Sequence, residues 1–399
     1  MADSQAWLTI VGIGEDGWDG LTAPARAAID AADSVMGAAR HLSLLGGRGG
    51  GERIVWPIPF ADGVPMLLER RGERVVMLAS GDPFWFGAGS VVTRHLDPGE
   101  WVAYPAASTL SLAAARLGWP VETIQGVGLH ARPVETLRPL LAPGQRLLAL
   151  MRDGASVTAL AAWLAEQGFG GSALTVLEAL GGPRERVRRV AANMLDWTDI
   201  AHPVAVAIEP VGPGRVLPCA SGLDDDWFAH DGQITKRPVR ALALSALAPR
   251  PGELLWDIGT GSGSVALEWL LSNPTTRAVG FERDPARLAR ARANAARLGV
   301  ERLDLVEGDA ITGLADRPHP DAVFVGGGLS PQLVEALRML PHCRLVAHAV
   351  TLETEALLTQ CQSRFGGELL RIELAQARPL GTKRGWKASY PIVQWRVAW

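Results

Sequence analysis

Between Leu254 and Leu271 an apolar run leads into Asp257, Gly259, Gly261 and Gly263 alternate with Thr260 and Ser262, and a helical pattern opens at Ser264. Glycine tolerates positive φ and lets a ligand approach the backbone. The first turn of a helix carries N–H groups with no intrahelical partner. Glu282 ends the next apolar run, a position from which a carboxylate reaches ribose hydroxyls. Gly308, Asp309 and Ala310 end the third, and Asp309 is suited there to an adenine amine. A dinucleotide fingerprint has its third glycine one residue further on, where this chain has Ser264. The spacing therefore points to a nucleoside ligand without a phosphate. Asp257 either touches that ligand or only braces the loop.

A second set, Gly12, Gly14 and Gly17, does match the dinucleotide spacing after an apolar run. Its helix opens only after Trp18–Thr22, too late to aim an N-terminus at a pyrophosphate, so no nicotinamide cofactor is expected. Further on, Gly81, Asp82 and Pro83 form a loop after a strand, and Ser108 and Thr109 open a helix. The basic residues are mostly arginine. The three lysines, Lys236, Lys383 and Lys387, fall in two short segments, ITKRPVR and TKRGWK. His230 and His348 titrate near neutral pH and are candidate proton shuttles, with a structural role as the alternative. Glu353 and Glu355 open a helix, where an acid either meets substrate or only favours the dipole. Trp85, Trp119, Trp386 and Trp395 either face a flat ligand or serve as core and interface residues.

The elements that must position these residues alternate in type. Residues 7–210 give strands at Trp7–Val11, Val75–Leu78, Arg146–Leu150, Ala173–Leu177 and Pro203–Ile208. A helix over Thr22–Ala32 has Thr22 as its cap and Pro24 in its first turn. Residues 211–225 are rich in Pro, Gly and Asp, lack periodicity and read as a linker. From 226 a second series begins, with helices over Lys236–Leu247, Ser264–Leu271 and Asp284–Leu298. Asp284 caps the last of these and Pro285 takes its first position. Strands over 303–306, 322–325 and 344–349 follow, and 369–377 with 390–397 reads as a closing β-ribbon. The expected fold is α/β in two domains, 1–210 and 226–399, the second Rossmann-like.

A chain of 399 residues buries two cores comfortably. Net charge is −3, which argues against a general nucleic-acid surface. Three scattered cysteines, Cys219, Cys343 and Cys361, give neither a disulfide framework nor a zinc site, and no metal is expected. MADSQAW lacks the layout of a signal peptide, and no apolar run is long enough to span a bilayer. The expectation is a cytoplasmic protein with no membrane partner.

The order Asp257-x-Gly-x-Gly-x-Gly, a strand-end acid, then Gly308-Asp309-Ala310 resembles class I S-adenosylmethionine methyltransferases. HDGQITKRPVRA (His230–Ala241), FVGGGLS (Phe324–Ser330) and VAHAVTLETEALL (Val346–Leu358) bring the C-terminal half closer to the decarboxylating precorrin methylases of corrin-ring biosynthesis. VGIGEDGWDGLT, RHL (Arg40–Leu42), LASGDPFWFG, YPAASTLSLAAARLGWP and VGLHARP make the N-terminal half similar to class III tetrapyrrole methylases. The resemblance implies S-adenosyl-L-methionine as cofactor and a precorrin tetrapyrrole as substrate. It implies methylation of meso carbon 5 by the N-terminal half, and methylation of carbon 15 with loss of carbon dioxide from a ring acetate by the C-terminal half. Cofactor contacts are expected from Thr235, Asp257, Gly259, Thr260, Gly261, Ser262, Gly263, Glu282, Asp309 and Ala310, and from Gly12, Gly81, Asp82, Ser108 and Thr109. Precorrins carry many carboxylates, which favour Arg and Lys around them. Lys236, Arg237, His230 and Glu353 are the expected catalytic residues, and Arg240, Lys383, Arg384 and Lys387 the expected substrate anchors; a solvated basic face is the alternative. A homo-oligomer, dimer or tetramer, is also implied. The competing reading, a fused methyltransferase for RNA or another acceptor, finds no basic–aromatic motif to support it.

Overall fold

In the computed structural model, residues 6–314 and 317–399 are described. The chain divides into two compact units: Met1–Val134 with Leu140–Arg215, and Glu135–Pro139 with Val216–Trp399.

Unit 1 holds two sheets. The first is wholly parallel and comprises β1 (Leu8–Ile13), β2 (Ser34–Gly37), β3 (Glu52–Val55), β4 (Val75–Ser80) and β5 (Trp101–Tyr104), in the order β3-β2-β4-β1-β5. β1 and β4 are nearly continuous apolar runs because both of their faces are covered. The second sheet comprises β6 (Ile124–Gly128), β7 (Arg146–Met151), β8 (Ala173–Glu178), β9 (Arg186–Ala191) and β10 (Val204–Glu209), in the order β6-β7-β10-β8-β9. Only β6 and β7 are parallel there. The expected first helix forms over Ala23–Ala31, with Thr22 Oγ1 accepting from the Ala25 N–H at 3.4 Å.

Unit 2 is built on a seven-stranded sheet. β11 (Leu254–Ile258), β12 (Arg277–Glu282), β13 (Leu303–Glu307), β14 (Ala322–Val325) and β15 (Arg344–Ala349) run parallel. β16 (Glu368–Ile372) and β19 (Ile392–Ala398) complete the antiparallel edge, in the order β13-β12-β11-β14-β15-β19-β16. The order reverses at β11, so the carboxyl ends of β11 and β14 open a crevice of the kind that receives ligands in such sheets. The long helix forms over Pro285–Arg297, its start fixed by Asp284 Oδ1 accepting from the N–H groups of Ala286 and Arg287.

Two sequence expectations change here. Of the segments 369–377 and 390–397, only 369–372 and 392–395 pair with each other, and they do so as the sheet edge, because Val393, Trp395 and Val397 bury one face of β19. The separate ribbon is β17 (Ala375–Leu380) with β18 (Lys383–Ala388), exposed almost throughout. The stretch read as a linker is packed from Val216 onward, with Leu217 and Leu223 in the core of unit 2. Among the described residues no helix is long and apolar enough to cross a membrane.

Candidate functional site

In unit 2 the β11 loop wraps a cavity of about 530 Å³. Gly259, Gly261 and Gly263 all adopt positive φ (72°, 56° and 78°), which explains the alternating spacing. Asp257 lies wholly inside. Its Oδ2 accepts from Thr260 Oγ1 at 2.7 Å and from the Ala266 N–H at 3.1 Å, so it braces the loop and satisfies one N–H in the first turn of the helix Ser264–Ser272. Its Oδ1 is buried with no partner. Burial pushes the carboxyl up to about 6, against the two hydrogen bonds, with Glu282 adding to the rise.

Glu282 is fixed by backbone donors. Oε2 accepts from the Gly261 N–H at 2.9 Å, and Oε1 from Arg283 and Asp284 at 2.9 and 3.0 Å. A carboxylate oxygen accepts more than one bond, so Oε2 keeps room for a hydroxyl. Asp309 caps the short helix Ala310–Gly313 through Ile311 and lies 3.8 Å from the Arg283 guanidinium. Thr235, Lys236, Gly259, Thr260, Gly261, Ser262, Asp309 and Ala310 line the same cavity. Three acids, one with an orphaned oxygen, suit a nucleoside that brings hydroxyl and ammonium donors. Gly263 does not line the cavity; a Cβ there would press on Ala291 of the neighbouring helix, so this glycine serves packing.

The expected catalytic and substrate residues separate. Arg240 is 0% exposed and ion-paired to Glu268 at 2.5 Å and Asp225 at 3.1 Å; it also donates to the carbonyls of Thr235 and Leu223. Substrate cannot reach it, and its role is corrected to a clamp. It lies on the buried stripe Val239, Arg240, Ala243, Leu244 and Leu247 of helix Arg237–Leu247. Glu268 then holds the N–H groups of Gly222 and Leu223. Lys236 reaches the cavity, 3.7 Å from Asp225, whereas Arg237 points to Asp224 and is not part of the lining. His230 closes its own turn, its Nδ1 accepting from Gly232 at 2.9 Å. Glu353 is exposed in the first turn of helix Leu352–Phe365, and Glu355 pairs with Arg371. Lys383, Arg384 and Lys387 sit on the exposed ribbon, outside the cavity lining.

His348 does line the cavity, buried on β15 and edge-on to Phe324. Its Nε2 meets Gln394 Oε1 at 3.0 Å. Burial lowers its pKa, with the Gln394 bond opposing, which favours the neutral ring. Gln394, Arg283 and Arg287 went unrecognised in the sequence, where no motif ties β19 to β15. Of the four tryptophans, Trp85 lines the unit 1 cavity, Trp119 stacks with Arg146, Trp395 is core, and Trp386 stands 79% exposed on the ribbon.

Unit 1 carries its own cavity, about 880 Å³, against the β4 loop. Gly81, Asp82 and Thr109 line it; Ser108 instead caps helix Thr109–Leu117 by accepting from the Ser111 N–H. Gly12 is also off the lining. A Cβ there would collide with the Gly81 carbonyl oxygen, so Gly12 lets two loops touch rather than touching a ligand. Glu15, Arg40, His41 and Ser80 line the cavity together, and Trp56, Phe60, Trp85 and Phe86 supply an aromatic wall. Sequence reading gave these polar residues no role, although Glu15 and Arg40 stand in the quoted GEDGW and RHL stretches.

Residues 7–196 match the family described as Tetrapyrrole (Corrin/Porphyrin) Methylases, and residues 226–399 the family described as Precorrin methyltransferase domain. The chain is 49% identical over 398 residues to a Sinorhizobium sp protein named precorrin-6Y C(5,15)-methyltransferase (decarboxylating), covering 98% of this chain and 95% of that one. It is 32% identical over 182 residues to a Salmonella typhimurium protein named cobalt-precorrin-6B C(15)-methyltransferase (decarboxylating), covering 43% of this chain and 92% of that one. A crystal structure of the C-terminal domain of precorrin-6Y C5,15-methyltransferase from Rhodobacter capsulatus is 52% identical; it covers 46% of this chain and 100% of that one, with a TM-score of 0.44.

Proposed function

Because the chain belongs to the precorrin-6Y C(5,15)-methyltransferase (decarboxylating) family, we propose that it methylates a precorrin-6Y-type tetrapyrrole twice and removes one carboxyl group, using S-adenosyl-L-methionine in each unit. The observation that carries this reading is that each unit has its own ligand-sized cavity against its own glycine loop. Unit 1, the class III tetrapyrrole methylase-like half, takes carbon 5. Unit 2, the class I half over 226–399, takes carbon 15 and the decarboxylation. The similarity to a decarboxylating C(15)-methyltransferase of one unit's length supports that division.

The cofactor supplies an electrophilic methyl group when bound. In unit 2, Glu282 and Asp309 would hold its ribose and adenine ends, and Asp257 Oδ1 would accept from an ammonium or hydroxyl. Lys236 faces a substrate carboxylate at the cavity edge. An amide oxygen only accepts, so His348 donates to Gln394 through Nε2 and leaves Nδ1 as an acceptor. Methylation of a meso carbon releases one proton, and replacing a carboxyl group by hydrogen consumes one. A neutral imidazole that takes the first proton can return it for the second, and Gln394 fixes the ring for both transfers. The electrons of the broken carbon–carboxyl bond pass into the conjugated macrocycle, so no further electron sink is needed.

Mass spectrometry of the full chain with precorrin-6Y and S-adenosylmethionine tests this. The expected product carries two added methyls and lacks one carbon dioxide. Glu282→Ala and His348→Gln are expected to yield a product with one added methyl and its carboxylates intact. A tetrapyrrole left unchanged by the wild-type chain refutes the reading.

A further inference from the structure

Unit 1 contains a charged cluster that the chemistry above does not use. Glu15, 7% exposed, pairs with Arg40 and, at 2.9 Å, with Arg184. Arg40 also donates to Ser80 Oγ at 2.7 Å and approaches His41 Nε2 at 3.1 Å. A guanidinium only donates, so His41 Nε2 accepts and the imidazole is neutral. Burial, then the Arg40 charge, bring His41 down to about 4, with the Leu78 carbonyl pulling the other way. One carboxylate against two guanidiniums leaves one positive charge in surplus.

Arg40 is the guanidinium of the cluster that faces the cavity; the other carboxylate on the lining, Asp82, accepts from the Phe84 N–H at 2.9 Å. The Arg40 side chain is 27% exposed, and Arg40 lines the 880 Å³ space with Glu15, His41 and Ser80. Of its five N–H groups, three meet Glu15, Ser80 and His41; among the described residues the other two are available to an incoming acceptor. The same cavity exposes apolar surface of a kind that marks a binding site, with Ile58 97% exposed and Phe86 and Phe60 partly so. A ligand that covers it has a flat apolar body and at least one anionic arm.

We propose that Arg40, braced by Glu15, His41 and Ser80, anchors one peripheral carboxylate of the tetrapyrrole that unit 1 methylates. The inference rests on the proposed function and deepens it. Glu15, His41 and Ser80 are positioning residues; they hold the planar fork in place before the carboxylate arrives, which lowers the ordering cost of binding.

The test uses the full chain and counts methyls by mass spectrometry, so the carbon-5 and carbon-15 steps are followed separately. Arg40→Met is expected to raise the KM for tetrapyrrole in the carbon-5 step about tenfold to a hundredfold, the range of a charged hydrogen-bonded contact. The kcat of that step and the carbon-15 step stay as in the wild type. Arg40→Lys keeps the charge toward Glu15 and loses the fork; it should raise the same KM about tenfold. If Arg40→Met abolishes the unfolding transition of unit 1, Arg40→Lys decides alone. An unchanged KM in Arg40→Lys overturns the anchor while wild-type methylation leaves the function standing. A wild-type chain that methylates no tetrapyrrole refutes the function itself.

Discussion

The two glycine loops differ in spacing and also in what lies behind them. In unit 1, Gly12 has the Gly81 carbonyl oxygen where its side chain would be, so its freedom is consumed by packing. In unit 2 a Cβ on Gly259 would likewise press on the Gly327 backbone, but Gly261 has room around it and borders the cavity beside acids with acceptor capacity to spare. The two guanidiniums differ in the same way. Arg240 is sealed between Glu268, Asp225 and two carbonyls, whereas Arg40 keeps donors toward a cavity. A motif or a charge is informative once its remaining valence is counted. Glycine against backbone and arginine against a full set of acceptors are structure; the same residues with capacity left over are function.

Arg240 gives the largest way to break that contrast. Arg240→Met leaves Glu268 buried with an unpaired charge and releases the 222–235 segment. Breaking a buried pair from one side costs about 3–5 kcal/mol. Calorimetry of the full chain should show the unit 2 transition shifted down or lost and the unit 1 transition unmoved. An Arg240→Met chain that melts normally but binds tetrapyrrole weakly would return Arg240 to the substrate side of the comparison.

Much of unit 2 was legible because local rules act there in sequence order. Apolar runs mark β11, β12, β14 and β15, and Asp284 with Pro285 mark a helix start that forms as expected. The loop residues sit within a few positions of one another, so their spacing carries the geometry. The residues whose surroundings the sequence did not show depend on distant partners. Lys236 and Arg240 lie one helical turn apart, and only Glu268, 28 positions on, decides that Arg240 turns inward. His348 is set by Gln394 across 46 positions, and Glu15 meets Arg184 across 169. The ribbon escaped detection because β17 and β18 bury nothing, so neither carries the alternation by which a half-buried strand is recognised.

Asp257 sharpens the contrast between bracing and binding within one side chain. Its folded pKa of about 6 exceeds the ordinary 3.8. Stability from the protonated form is therefore complete below 3.8 and lost as pH rises through 6, a cost of about 3 kcal/mol at neutrality. Asp257→Asn removes the charge, so the unliganded variant should unfold no more easily than wild type at pH 7.5. Binding goes the opposite way. A cation or hydroxyl on Oδ1 prefers the ionised acid, so wild-type affinity for S-adenosylhomocysteine in unit 2 should weaken below pH 6, by up to about tenfold per pH unit. Calorimetric titrations from pH 5 to 7.5 would show this slope in wild type and its loss in Asp257→Asn. A flat wild-type profile would make Asp257 a brace alone.

The smallest effect belongs to the ribbon, where charge is plentiful and nothing holds it. Lys383, Arg384 and Lys387 are exposed on β18 and outside the cavity lining. Exposed charges act through a screened field that fades beyond about 8 Å at physiological salt. Replacing all three by Ala should move the unfolding midpoint by no more than about 0.5 kcal/mol allows. It should weaken tetrapyrrole binding about threefold or less at low salt, and the difference should vanish as salt is raised. A loss that survives high salt would mean that the ribbon touches substrate directly, and the division between cavity residues and surface charge would then have to be redrawn for unit 2.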